Sequence, residues 1–111
     1  MRWIDVCAFA DLTPERGACA LVAGRQVAVF RAHDGELFAL SNRDPFSGAS
    51  VLARGILGTR RGVPTVASPM YKQVFDLRSG HCLDDDRRSV PTFRIRRVRT
   101  ASGERVEVAL P

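Results

Sequence analysis

Short runs in which apolar and polar residues alternate at every second position, separated by glycine-containing turns, recur along the chain and predict an all-β protein built of short strands. Residues 2–7 alternate weakly and predict a first strand. Thr13-Pro14-Glu15 offers an N-cap followed by proline at the first helical position, which predicts a single short helical turn ending near Gly17. Residues 18–23 and 26–31 are apolar strands separated by Gly24-Arg25, a two-residue turn whose glycine can take the positive φ of a tight hairpin. In the second of them Val27 and Val29 share one face, with Gln26 and Ala28 directed away. Asp34-Gly35 supplies the next hairpin turn and leads into Glu36-Leu37-Phe38-Ala39-Leu40, completing a three-stranded meander.

From Ser41 to about Pro64 the pattern is irregular and contains Gly48, Gly55, Gly58 and Gly62, which predicts a long connection of the kind that usually carries function. Val63 to Ala67 reads as a short strand, and Gln73 to Leu77 pairs with His81 to Leu83 across Arg78-Ser79-Gly80. Asp84-Asp85-Asp86-Arg87-Arg88 reads as a solvated, partly self-neutralising turn. A last hairpin runs from Thr92 to Arg99 and from Glu104 to Leu110 around Ala101-Ser102-Gly103. Phe93 and Ile95 share a face, but the same period would carry Arg97 inward, so a β-bulge is expected near Arg96-Arg97. Val106, Val108 and Leu110 alternate strictly, which leaves Arg105 and Glu107 outward, where cross-strand ion pairs with the arginines are expected.

A chain of 111 residues, 45% hydrophobic, predicts a single domain spanning 1–111 with one core. It has no apolar run of about 18 residues to cross a bilayer, and Arg2, Asp5 and Asp11 interrupt the layout of a signal peptide. A cytoplasmic location is expected, and the three scattered cysteines fit a reducing compartment as buried thiols. Seventeen basic residues against twelve acidic ones give +5, a charge that suits an acidic partner or nucleic acid. Most of the few aromatic residues fall at apolar strand positions and do not interleave with the arginines as a base-stacking platform would, which argues against nucleic-acid binding.

Nucleophilic catalysis needs a base beside the nucleophile, and the two histidines, His33 and His81, both sit at turns. No glycine-rich phosphate loop precedes a helix. The chain alone is therefore not expected to be catalytic.

The most informative segments are Asn42-Arg43-Asp44-Pro45-Phe46-Ser47-Gly48 and, about two dozen residues later, Ser68-Pro69-Met70-Tyr71-Lys72-Gln73-Val74-Phe75-Asp76-Leu77-Arg78-Ser79-Gly80. The pair, at about 42–50 and 68–80, resembles the two cluster-binding loops of Rieske [2Fe-2S] domains, Cys-Pro-His-x-Gly and Cys-Pro-x-His-Gly-x-x-Phe-Asp-x-x-x-Gly. In those domains two thiolates hold one iron and two imidazoles the other. Here Asp44, Phe46, Ser68 and Tyr71 occupy the four ligand positions, while Pro45, Gly48, Pro69, Phe75, Asp76 and Gly80 keep the frame. Phe46 offers no donor and the other three offer only oxygen, so an ordinary Rieske cluster is not expected. The adjacent His81-Cys82 pair lies off the ligand positions, and neighbours on a strand point to opposite faces.

Asn42-x-Asp44-Pro-Phe-Ser-Gly-Ala49, Arg54-Gly-Ile56, the Ser68 to Leu77 run and Gly80-x-Cys-Leu-Asp84 together resemble the small subunit of assimilatory NAD(P)H-dependent nitrite reductase, a ligand-free relative of the Rieske fold. The likeness also takes in Trp3-x-x-Val6-Cys7 and Ser89-Val-Pro91. It implies a Rieske-like fold of stacked antiparallel sheets or a partial barrel, with long loops and at most one short helical turn. It implies as partner a large subunit carrying FAD, an iron-sulfur cluster and sirohaem, which reduces nitrite to ammonium. Catalytic, cofactor-binding and metal-binding residues are then expected to be absent from this chain. Two readings of the replaced ligands follow. Phe46, Met70 and Tyr71 fill the space of the cluster while Asp44, Ser68 and the Tyr71 hydroxyl satisfy freed amides, or Met70, Tyr71 and Lys72 form a docking tip. The alternatives are a Rieske-like module of another oxidoreductase, or a Rieske-type ferredoxin, which the missing ligands contradict.

Overall fold

The computed structural model describes all residues 1–111. Nine strands form two antiparallel sheets: β1 Arg2–Ala8, β2 Arg16–Val22, β3 Arg25–Arg31, β4 Leu37–Ser41, β5 Ile56–Arg60, β6 Val63–Ala67, β7 Val74–Asp76, β8 Thr92–Thr100 and β9 Gly103–Leu110. The larger sheet has the order β1-β9-β8-β4-β3-β2, and the smaller has the order β5-β6-β7.

The central wall of the molecule is β3 with β4, and both its faces are buried. Val27, Val29 and Ala39 join Val106, Val108 and Leu110 in one apolar cluster. Ala28, Phe30, Phe38 and Leu40 join Leu52, Val66, Phe75, Leu77 and Cys82 of the small sheet and its loops in another. The expected single core is thus two half-cores sharing one wall. Ala28 does point away from Val27, as the alternation predicted, but into the second half-core.

Tight turns set the registers. β2 and β3 pair from Arg16↔Arg31 to Val22↔Arg25, so the turn residues are Ala23 and Gly24, at φ 49° and 82°. This is one residue earlier than expected. Two positive φ values in succession give the twist that hairpin strands require. Gly80, a frame residue of the second loop, has φ 77° and a backbone so close to Val90 that a Cβ would lie 2.0 Å from its carbonyl oxygen. That approach accompanies the bond from the Val90 N–H to the Gly80 carbonyl, 2.8 Å.

Other expectations are corrected. No helical turn forms at Thr13–Gly17, where Pro14 and Glu15 make a simple turn and β2 begins at Arg16. Instead two single 3-10 turns occur, at Phe9–Asp11 and Leu52–Arg54. The long loop after Ser41 contains a strand, β5, paired with β6 from Ile56↔Ala67 to Arg60↔Val63. The bulge expected near Arg96-Arg97 is absent, and β8 and β9 pair without interruption from Arg94↔Ala109 to Thr100↔Gly103. Arg97 keeps its inward-facing position by laying its guanidinium 3.6 Å from the Phe9 ring centroid and bonding Glu104 at 2.7 Å, so charge and ring are both satisfied. The register shift in this sheet lies in β1, between Asp5 and Cys7. The cross-strand pair expected with the arginines of β8 forms between Arg96 and Glu107, while Arg105 pairs with Asp5 of β1 instead.

Candidate functional site: two former cluster loops

The first loop is pinned to the large sheet by Asn42. This buried residue accepts the Ala53 N–H on Oδ1 at 2.7 Å, donates from Nδ2 to Gln26 Oε1 at 3.1 Å, and accepts the Leu52 N–H on its carbonyl at 3.0 Å. Beyond it the chain turns tightly around Asp44. Its carbonyl accepts the Gly48 N–H and its own N–H donates to the Ala49 carbonyl, both at 2.8 Å.

Asp44 is completely buried, and Ser68 is 1% exposed. One carboxylate oxygen of Asp44 accepts the N–H groups of Phe46, 2.8 Å, and Ser47, 3.3 Å. The other accepts a short hydrogen bond from the Ser68 hydroxyl. Ser68 in turn accepts the Met70 N–H at 3.3 Å and donates its own N–H to the Gln73 carbonyl at 2.9 Å. The positions of the two cysteines are therefore bridged by a carboxylate and a hydroxyl, and the backbone amides around them have oxygen acceptors.

Of the two imidazole positions, only Phe46 turns inward. It packs against the half-core of the small sheet, with its ring centroid 6.2 Å from that of Phe75, and the Arg88 guanidinium lies over it at 5.7 Å. Tyr71 is 61% exposed and Met70 45% exposed. The expectation that these two fill the cluster space is overturned, and the Tyr71 hydroxyl takes no part in the Asp44–Ser68 network. Phe46 closes the space alone, because the second loop turns outward immediately after Ser68. Lys72 holds φ at 62°, a left-handed conformation that disfavours any residue with a Cβ. It stands where the Rieske motif has glycine, so the loop keeps its backbone path without the residue that makes the path easy.

The donor set does not fit a [2Fe-2S] cluster. Asp44 and Ser68 already satisfy each other, and neither Phe46 nor exposed Tyr71 can replace an imidazole. No other group of three His, Cys, Asp or Glu residues stands close enough to hold a metal ion. Cys82 is buried, Cys7 half-buried with its thiol pushed up by burial, and Cys19 exposed, against the expectation of three buried thiols. His81 is exposed beside buried Cys82, on opposite sides as strand geometry requires. His33 is an exposed turn residue 3.0 Å from Glu15. A cleft of about 570 Å³ between these residues, Glu36, Leu57 and Arg78 has one hydroxyl, that of Thr59, and His33 bonds Glu15 instead of it.

Asp84 does more than solvate a turn. Its carboxylate accepts the Val74 N–H at 2.8 Å and the Arg60 guanidinium at 2.9 Å, tying β5 to β7. Arg60, then the Val74 amide, hold its carboxyl below the usual aspartate range. Arg87 holds Asp85 at about 2. The visible sequence signal for Asp84 was its place just after the second arm of a predicted hairpin. For Asn42 it was the head of the Asn-x-Asp-Pro motif.

The model of the Rieske-like [2Fe-2S] domain matches residues 2–109. The nitrite reductase (NADH) small subunit of Escherichia coli K12 is 45% identical over 96 residues, 86% of this chain and 89% of that protein. The chain belongs to the nitrite reductase small-subunit family, on a Rieske-like fold. A crystal structure described as an NADH-dependent nitrite reductase small subunit from Mycobacterium tuberculosis agrees at a TM-score of 0.89 and 45% identity, covering 99% of this chain and 96% of that one. The family's frame is thus intact across nearly the whole molecule. The ferredoxin of carbazole 1,9a-dioxygenase from Nocardioides aromaticivorans shares the fold at a TM-score of 0.80 and 22% identity, covering the full length of both chains. The nitrite reductase [NAD(P)H] large subunit of Klebsiella oxytoca is 37% identical over 94 residues, 85% of this chain but 10% of that protein. One large subunit therefore contains a segment of this family within its own chain.

Proposed function

We propose that this chain is the accessory small subunit of an NAD(P)H-dependent nitrite reductase, working in the cytoplasm in nitrite assimilation. It binds a large subunit on which FAD, an iron-sulfur cluster and sirohaem carry electrons from the nicotinamide cofactor to nitrite. The observation that carries this reading is the likeness to reductase small subunits over most of both chains. Two further observations define the role. The loops offer no ligand set for a cluster of their own, which disfavours a ferredoxin-like carrier. The Klebsiella large subunit holds a related segment covalently, and a tethered segment has no need to shuttle.

The chain then acts by contact, supporting the assembly or stability of the large subunit, and the second loop is its docking tip. Met70 and Tyr71 give an apolar centre and Lys72 a cationic edge, the composition of an interface core and its rim. The test is nitrite-dependent NAD(P)H oxidation by the purified large subunit with and without this chain, alongside co-purification from cells grown on nitrite. The reading predicts that the two proteins co-purify and that adding the chain raises the activity or lengthens its lifetime. A large subunit equally active and stable alone, with no complex isolated, contradicts it.

A further inference from the structure

The small sheet has an apolar row on each face, and only one of these rows is covered. Register places Leu57, Val66, Phe75 and Cys82 side by side across the sheet. Val66, Phe75 and Cys82 are buried and Leu57 packs against the same half-core. One residue along each strand, the adjacent row is Ile56, Ala67, Val74 and Leu83, with Leu83 joined to Val74 by a 2.8 Å backbone hydrogen bond. Successive side chains of a strand point to opposite faces, so this second row lies on the outer face. Ile56 is 78% exposed and Leu83 37%. The next outward row, Gly58, Thr65, Asp76 and His81, carries no large apolar side chain. The exposed apolar row is thus confined to the end of the sheet from which the turn bearing Met70 and Tyr71 emerges.

The charges at this end point to the chemistry of the missing cover. Arg54, two residues before Ile56, and Lys72, two before Val74, are exposed and have no ion-pair partner. In the neighbouring turn Asp84 is engaged by Arg60 and Asp85 by Arg87, and Asp86 makes no ion pair. Asp44, beneath the tip, is buried and bonded to Ser68. An apolar strip with unpaired cations at its border calls for a partner surface that is apolar at its centre and carries carboxylates at its edge.

Resting on the reading that the second loop docks on the reductase, we infer that the large subunit also covers the outer face of the small sheet, seating Ile56, Ala67, Val74 and Leu83 against an apolar surface bordered by carboxylates that pair with Arg54 and Lys72. The tip and the strip then form one continuous interface. Ile56 is the best probe, because its exposed side chain can be changed without disturbing the half-core behind it.

The experiment is titration of the purified large subunit with this chain and with Ile56→Lys, Lys72→Glu and Leu21→Lys, each checked for an unchanged melting temperature. The inference predicts that Ile56→Lys and Lys72→Glu each raise the Kd at least about tenfold. Leu21→Lys, an equally exposed leucine on β2 of the other sheet, leaves it unchanged. Salt at about 0.5 M weakens the wild-type complex, and weakens the Lys72→Glu complex by a smaller factor. A wild-type Kd for Ile56→Lys together with a raised Kd for Lys72→Glu overturns the inference and leaves the docking tip standing. Unchanged Kd values for both overturn the docking reading itself. A self-associating chain that Ile56→Lys makes monomeric, with no effect on the large subunit, assigns the strip to a second copy and overturns the inference too.

Discussion

The loop at residues 42–50 places both of its replaced ligand positions inside the protein, with Asp44 fully buried and Phe46 packed on Phe75. The loop at 68–80 buries one, Ser68, and presents the other, Tyr71, to solvent between Met70 and Lys72. Loss of a cluster leaves two problems in a small fold: a space to fill and backbone amides without acceptors. The first loop with Ser68 answers both, since Phe46 fills the space and the Asp44 carboxylate and Ser68 hydroxyl accept the amides. The tip of the second loop, Met70 to Lys72, has no such internal duty. Its exposed apolar side chains and strained lysine suit the docking role proposed for this tip.

If this division is right, substitutions in the two loops separate stability from binding. The largest effect is expected from Asp44→Ala, which strands two amide donors and the Ser68 hydroxyl in a dry site. It is expected to cost about 3 kcal/mol in urea denaturation, and a loss under 1 kcal/mol would show that the bridge contributes little. Phe46→Ala opens a void beside Phe75 and is expected to cost about 2 kcal/mol, less than for a fully enclosed ring because Phe46 is only partly buried. Tyr71→Ala, by contrast, should stay within about 0.5 kcal/mol, as surface changes do.

Lys72→Gly sharpens the comparison with an opposite sign. Glycine relaxes at φ 62°, so the variant is expected to gain about 0.5 kcal/mol after the added freedom of its unfolded chain is subtracted, while binding the large subunit more weakly. A variant that is neither more stable nor weaker in binding would remove the link between strain and function.

The smallest effect concerns acid. Arg60 and the Val74 amide hold the Asp84 carboxyl below its ordinary range, so the stability it lends is complete above the ordinary aspartate value and is lost as pH falls through the lowered one. Melting temperature should therefore drop further as pH falls below about 4 in the wild type than in Asp84→Asn, with hydrogen exchange quickening first at the Val74 amide. Equal acid sensitivity would mean that Asp84 is the bystander the sequence first made it look.

Much of this was legible in the pattern of residues, because hairpins declare themselves through turn chemistry and the two motif loops keep their prolines and glycines. The hidden parts have physical reasons. Strand β5 escaped because Ile56 and Leu57 are both apolar, one facing out and one facing in, and Gly58 follows them. No period of two survives that arrangement. The missing bulge was hidden by Arg97, whose polar symbol conceals a planar group able to stack on Phe9. The outward turn of Met70 and Tyr71 was unreadable because large apolar residues at vacated ligand positions look the same whether they fill a space or leave it. Only the positive φ at Lys72 and the exposures beyond Ser68 distinguish the two.

The most direct test measures binding and folding on the same pair of variants. Phe46→Ala and the double variant Tyr71→Ala/Lys72→Glu are titrated against the purified large subunit, and each is melted alone. The division of labour predicts that the double variant melts within about 2 °C of the wild type yet binds at least about tenfold more weakly. Phe46→Ala melts several degrees lower but, below its transition, binds with the wild-type Kd. A double variant that binds as tightly as the wild type, or that loses stability as Phe46→Ala does, contradicts the account.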